Sequence, residues 1–389
     1  MAAPDTSHRP PLLPVSVLLA DVTCLGIVMP LLASYAAEYH ASTTAIGLLV
    51  AIYSLLHFVL APLWGRLSDR IGRRPVLLIG LIGTLGSSVI FAMADSFMLL
   101  ALSRIVAGGL GATLNVTQAY AADLTTVERR TRVMGLVGAA FGVGFILGPT
   151  IGGVTSAIDP AAPGLAASVI SAVNLVVAMA RLPEAPARTA RFAAAATRID
   201  PARFAVPFTA AFMSTLAFTV IYVVFPLHAE QALGFDRSRV SYLFAMVGVM
   251  TALVQGGLMG RLSRRYGEGR LVVAGGLLMA IGLAGLAMTA EGAWLLYPGL
   301  IALGIGFGLA GPAEAGYVSR LAPPESQGRV LGMLQSANSV ARVLGPVAAG
   351  LAMAAGGAVT AFVTAAVAAA GAGGLGTRMR ESGQHQAES

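Results

Sequence analysis

The sequence predicts an all-α membrane protein: twelve transmembrane helices in two pseudo-symmetric six-helix bundles. Three observations predict it. The 389-residue chain is 56% hydrophobic and 11% charged, with mean hydropathy +0.79, whereas a soluble chain carries about a quarter charged residues. About twenty apolar residues cross a bilayer as a helix, and that unit recurs throughout. The second half also repeats the first at an offset of about 196 residues.

The expected spans are 12–36, 45–65, 75–94, 98–121, 132–155, 164–183, 203–228, 239–260, 271–289, 294–318, 329–352 and 357–376. The last is rich in Ala and Gly, which lowers its hydrophobicity. The opening MAAPDTSHRPP is polar, with no basic n-region and no small-residue cleavage site, so no cleaved signal peptide is expected. All 25 basic residues are Arg. Arg237 and Arg239 fall outside, Arg104 and Arg342 within helices, and the rest in cytoplasmic segments if both termini are inside. That asymmetry is the positive-inside pattern of a multi-pass protein; the Arg-only basic set and the Ala/Gly bias point to a GC-rich bacterial genome, so a bacterial cytoplasmic membrane is expected. The +7 charge then reports topology and contact with anionic lipid, and requires no nucleic acid. Cys24 is the single cysteine, which excludes an intramolecular disulfide.

Gly65-Arg-Leu-Ser68 recurs as Gly260-Arg-Leu-Ser263, Gly72 as Gly267, Gly148-Pro149 as Gly345-Pro346 and Pro30 as Pro226. Tyr120, Leu124, Glu128, Arg132, Val133 and Gly135 match Tyr317, Leu321, Glu325, Arg329, Val330 and Gly332. A duplicated six-helix unit follows: an N-terminal bundle over 1–183, a cytoplasmic linker over 184–202 and a C-terminal bundle over 203–389. Substrate sites in such carriers lie near the midplane at the repeat interface.

Two motifs carry the helix-level argument. Gly135–Gly153 reads G-x8-G-x3-GP-x2-GG. Its Gly144, Gly148 and Gly152 stand at successive i+4 positions, a bare stripe that another helix can approach at backbone distance. Pro149 removes a backbone donor there, and Gly153 closes the motif. Between helices two and three, Gly65-Arg-Leu-Ser-Asp69-Arg70-Ile-Gly72-Arg73-Arg74 places Gly65 and Gly72 where tight turns at helix ends are expected. Asp69 is expected to meet a helix N-terminus or the Arg129/Arg130/Arg132 cluster. The second copy has Arg264 in place of Asp69, so a carboxylate latch is expected on one side only.

The loop matches G-x-L-x-D-R-x-G-R-R of the major facilitator superfamily, and the glycine run resembles the fifth-helix signature of its drug:proton antiporters. The resemblance covers the whole chain for the superfamily and residues 15–155 best for the drug-efflux group, including bacterial tetracycline and multidrug carriers. It implies that the loop latches the two halves and releases them during alternating access. This sequence departs from the tetracycline carriers in two places. Helix eight carries no His and helix nine, over 271–289, no acidic residue; in those carriers these positions help bind drug or couple protons. A different drug or metabolite is therefore implied.

Ionisable groups in hydrocarbon mark function by default. Asp21, with Gly26 and Pro30, resembles the first helix of tetracycline/proton antiporters, and a carboxylate there can exchange a proton against an Arg or a cationic substrate. Arg104 stands in an R-x3-G motif that the family associates with proton transfer. It shares a helix face with Gly108, Gly111, Asn115 and Gln118. His57, with Tyr53 and Ser54 on helix two, is a further titrating candidate or a packing histidine. Gln335, Asn338 and Arg342 share one face of helix eleven and Gln255 lies in helix eight, all as candidate cavity groups. Glu314 is expected near the cytoplasmic end of helix ten, either interfacial or a substrate or proton site.

The expected function is proton-driven export of small amphipathic or cationic compounds, with protons, small-molecule substrate and membrane lipid as partners, and a monomer as the working form. A sugar, amino-acid or metabolite exporter and a proton symporter share the fold; a non-transporting sensor is the remote alternative. No H-E-x-x-H, paired carboxylates, P-loop or Cys/His metal spacing occurs, so no enzyme, cofactor or metal is expected.

Overall fold

The computed structural model describes residues 12–111, 113–123, 130–184, 201–289, 293–323 and 326–388. No strand occurs among them. Among the described residues, ten helices are long and apolar enough to cross a membrane. The number becomes twelve because Gln327–Glu388 is two helices joined across Gly356 and Gly357, and because the fourth span is the shorter Phe97–Leu110 followed by Thr113–Asp123. Gly357 holds φ 74°, which only glycine adopts without strain, so the chain turns there.

In order, the spans are Leu12–Val28 with Leu32–Glu38, Thr43–Ile71, Arg73–Ala92, the split fourth, Arg130–Ser156 and Ala162–Arg181. The second six are Pro201–Thr219 with Ile221–Leu233, Arg237–Tyr266, Glu268–Ala287, Leu296–Leu321 and the two parts of Gln327–Glu388. The first helix of each half is interrupted near its repeated proline, at Met29–Leu31 and at Val220. Helix eight contains a π-turn over Val254–Leu258.

Helix six shows why water is the wrong solvent. Gly164, Ala167, Ser171, Asn174 and Ala178 are buried, while Leu165, Val169, Val173 and Val176 are exposed. The outward stripe recurs at helical spacing and is aliphatic, which suits lipid tails.

By contacts the described residues form two units. One draws on Met1–Leu32 and Leu56–Arg191, the other on Ala33–Leu55 and Phe192–Ser389. Their cores are copies of one another. The first packs Val76, Leu77, Val116, Tyr120 and Leu182 together; the second packs Leu271, Val272, Ala313, Tyr317 and Met379. The duplication legible in the motifs thus extends to the side chains that hold each unit.

In the second unit, Ala33–Leu55 is fastened to the C-terminal helices. Arg237 pairs with Glu38 at 2.6 Å and lies 4.4 Å over the Tyr35 ring. The Thr43 hydroxyl donates to the Gly350 carbonyl at 3.1 Å.

Candidate functional site

The glycine stripe of helix five meets helix one at backbone distance. A Cβ on Gly148 would lie 2.5 Å from Gly26 Cα and 2.7 Å from the Thr23 carbonyl oxygen. One on Gly144 would lie 2.8 Å from Val22, and one on Gly152 2.9 Å from the Ile27 carbonyl. Gly26 packs against Pro149 and Gly148 in return. Gly135 belongs to the motif but not to the seam: nothing lies within 4 Å of its added Cβ. The second half repeats the seam, with Gly345 against Thr219 and the Leu216 carbonyl.

This seam fixes helix one, and with it Asp21. Asp21 is partly buried, and the Thr84 hydroxyl of helix three donates to its Oδ1 at 2.6 Å. Arg104 is buried on helix four. It donates to Ser87 of helix three at 3.3 Å and to Ser103 at 3.2 Å, with its guanidinium 5.9 Å from the Phe91 ring centre. Asp21 and Arg104 thus use hydroxyls three residues apart on one helix, about 4.5 Å of rise.

Helix four is not the single rod expected over 98–121. It ends at Leu110 and restarts at Thr113, with Gly111 at φ −68°, ψ 54°. Two features allow the break. Glycines at 108, 109 and 111 lower helix propensity, and the indole Nε1 of Trp64 takes up the Gly109 carbonyl at 2.9 Å. His57 Nδ1 lies 3.1 Å from where a Gly111 Cβ would stand, so His57 packs against the break. The stripe from Arg104 to Gln118 is consequently divided between two helices, and Gln118 is exposed. Arg129 and the side chains of Asn115 and Arg130 lie outside the described residues.

At the Arg-rich end of the first unit, helix two runs on to Ile71, so Gly65 is an interior helical residue rather than a turn. Gly72 makes the turn, at φ 99°. Arg73 is the hub: it meets Asp69 at 2.6 Å, Asp123 at 3.0 Å and the Ser68 hydroxyl at 2.6 Å. Arg74 bonds the Met179 carbonyl at 2.7 Å and Glu184 at 3.2 Å. Arg70 closes helix two at its C-terminus, where a cation suits the dipole.

The second unit repeats this hub with its charges exchanged. Glu268 stands at the position of Arg73 and Arg320 at that of Asp123, and the two pair. Ser263, the counterpart of Ser68, donates to Glu268 Oε1 at 2.7 Å. The carboxylate expected on one side only is therefore present on both, supplied four residues beyond Arg264. Helix nine also begins earlier than 271, because Gly267 turns at φ 74° and lets Glu268 start it. Its one acidic residue is committed to this pair.

Deeper in that unit, Glu314 is buried, seven residues before the end of helix ten and so about 10 Å from it. Ser214 of helix seven donates to its Oε1 at 2.7 Å. The Thr215 hydroxyl donates to Asn338 Oδ1 at 3.1 Å, and Arg342 bonds Ser339 at 2.9 Å. Gln335 and Tyr53 are at least partly exposed, and Gln255 is exposed within the π-turn, a feature frequent at functional sites. Among the described residues no group of His, Cys, Asp and Glu could hold a metal. Ser214, Thr215, Thr84, Trp64 and the Glu268–Arg320 pair carry no local sequence signal that marks them.

A twelve-helix, internally duplicated membrane fold with carboxylates held by hydroxyls among its helices is the architecture of a membrane transporter. The family model described as Major Facilitator Superfamily matches residues 16–205 and 207–387. The chain belongs to the major facilitator superfamily. It is 33% identical over 350 residues to a class D tetracycline resistance protein of Salmonella ordonez, covering 87% of this chain and 88% of that one. To the class C protein of Escherichia coli it is 34% identical, with 84% and 85% covered. Multidrug resistance protein 1 of Bacillus subtilis (strain 168) is 28% identical, with 84% and 85% covered. Among solved structures, a bacterial homologue of the human lysosomal transporter Spinster, inward-facing and occupied, superposes with TM-score 0.75 at 16% identity, over 95% of this chain and 96% of that one. That likeness supports the fold alone.

Proposed function

We propose that this transporter exports small amphipathic or cationic compounds, drugs among them, in exchange for protons by alternating access. The observation that carries the proton part is Asp21. It is an acidic side chain in the first membrane helix, held by the Thr84 hydroxyl and fixed in depth by the glycine seam. The tetracycline and multidrug resistance proteins among its relatives support the efflux part.

In this reading Asp21 takes up a proton from the outer side and releases it to the inner side, with Arg104, bonded one turn further along helix three, tuning the exchange. His57 flanks the broken fourth helix, where Gly111 lets the two segments flex. Tyr53, Asn115, Gln118, Gln255, Gln335, Asn338 and Arg342 line the substrate path. The Arg73 and Glu268 hubs act as latches at the Arg-rich end, which the positive-inside rule puts in the cytoplasm with both termini. The N-terminal bundle over 1–183 and the C-terminal bundle over 203–389 are the rocking bodies, joined by 184–202.

The test is purified protein in liposomes with an imposed pH gradient, screened with cationic dyes and antibiotics. The expected result is movement against the proton flow that stops when an ionophore collapses the gradient. Transport indifferent to the ionophore would refute the exchange.

A further inference from the structure

Helices seven and ten of the second unit share a face on which the sequence marked Glu314 alone. On helix seven, Ser214, Phe218 and Tyr222 follow at i+4 spacing; on helix ten, Phe307 and Glu314 lie two turns apart. Phe218 stacks on Phe307 with ring centres 3.9 Å apart and planes 12° from parallel. Tyr222 meets Phe218 edge-on at 6.0 Å, and Phe244 backs Tyr222 at 5.7 Å. Phe244 is buried, whereas Phe218, Tyr222 and Phe307 all keep exposed surface. Beside this wall, toward the Arg-rich end, stands the polar floor: Glu314 with Ser214, and Thr215 with Asn338.

The combination is chemically specific. Ser214 supplies the one hydrogen bond made to the Glu314 carboxylate among the described residues, and no Arg or His pairs with it there. The Glu268 carboxylate on neighbouring helix nine is already paired with Arg320. A carboxylate buried with a single hydroxyl attracts positive charge strongly in its low-dielectric surroundings. Aromatic faces beside it attract both flat rings and cations. Arg342 lies on the Tyr222 side, where it bonds Ser339 and disfavours a ligand entering with its positive end first toward Tyr222.

We propose that Phe218, Tyr222, Phe307 and Glu314 form a subsite for a planar organic cation, with its ring on the aromatic wall and its positive end toward Glu314. The site lies wholly within the second unit and rests on the reading of the chain as an exporter of such compounds. Ser214 donates to Glu314, and the positive end of a bound cation would take over that carboxylate. The site gives this chain a carboxylate in its C-terminal half on helix ten, where helix eight has no His and the acid of helix nine is paired.

The test is calorimetric binding to the full-length purified protein with no gradient, using ethidium and its uncharged parent ring phenanthridine as probes. Wild type is expected to bind both. Glu314→Gln should weaken ethidium by about tenfold or more and leave phenanthridine within about twofold, while Phe307→Ala should weaken both. Should Glu314→Gln fail to fold, Glu314→Asp retaining ethidium and Phe307→Leu losing both probes give the same answer. Ethidium binding equal to wild type in Glu314→Gln and Phe307→Ala, or no ethidium binding by wild type, would overturn the subsite. Binding as expected without gradient-driven transport would instead overturn the export reading and leave the subsite standing.

Discussion

Thr84 illustrates how a single hydroxyl sets the behaviour of an intramembrane acid. Its 2.6 Å bond to Asp21 ties the helix-one carboxylate to helix three. Thr84→Val removes the donor with little change of shape, so gradient-driven exchange should fall several-fold, while Thr84→Ser should keep it; side-by-side liposome assays check this. Equal activity in Thr84→Val and wild type would mean that Asp21 is oriented by something else. Asp21 and Arg104 are legible in the sequence because a charge in an apolar run stands out by itself. Phe218, Tyr222 and Phe307 are not, since an aromatic in an apolar helix reads the same whether it faces lipid, core or substrate. Glu314 was visible as a charge, but its depth and its bond to Ser214 depend on how helices seven and ten pack.

At the scale of elements, the glycine seam gives a contrast within one motif. Gly148→Leu forces a side chain into backbone 2.5 Å away, and overpacking of this kind costs about 1–3 kcal/mol or more. Its melting temperature and transport rate should both drop while membrane insertion persists. Gly135→Ala, with nothing within 4 Å, should match wild type in both assays. The i+4 spacing of glycines foretold this packing, because a bare stripe is a local property of one helix. The exchanged hubs were hidden for the opposite reason: Glu268 and Arg320 are 52 residues apart and reverse the charges of Arg73 and Asp123. They make a separate prediction. Arg320→Ala leaves the buried Glu268 carboxylate with Ser263 alone, which should cost about 1–3 kcal/mol in thermal stability. The reversal Glu268→Arg with Arg320→Glu should recover most of it, and failure to recover would show that the pair matters through shape and not charge. The break of helix four at Gly111 also escaped the sequence, since apolar length alone continues through glycines.

At the scale of the whole molecule, duplication explains why two units with the same core carry different chemistry. The shared positions are those that pack: Tyr120 and Tyr317, Gly148 and Gly345, Ser68 and Ser263. The two intramembrane acids are not shared: Asp21 stands on helix one of the first half only and Glu314 on helix ten of the second only. In the proposed reading the carrier binds its proton in one half and the charged end of its substrate in the other. The most direct test of the central claim compares two modes of transport by Asp21→Asn in liposomes. Loss of gradient-driven export, on the order of a hundredfold, with exchange of labelled for unlabelled substrate retained, is the predicted result. Gradient-driven export at the wild-type rate in Asp21→Asn would contradict it.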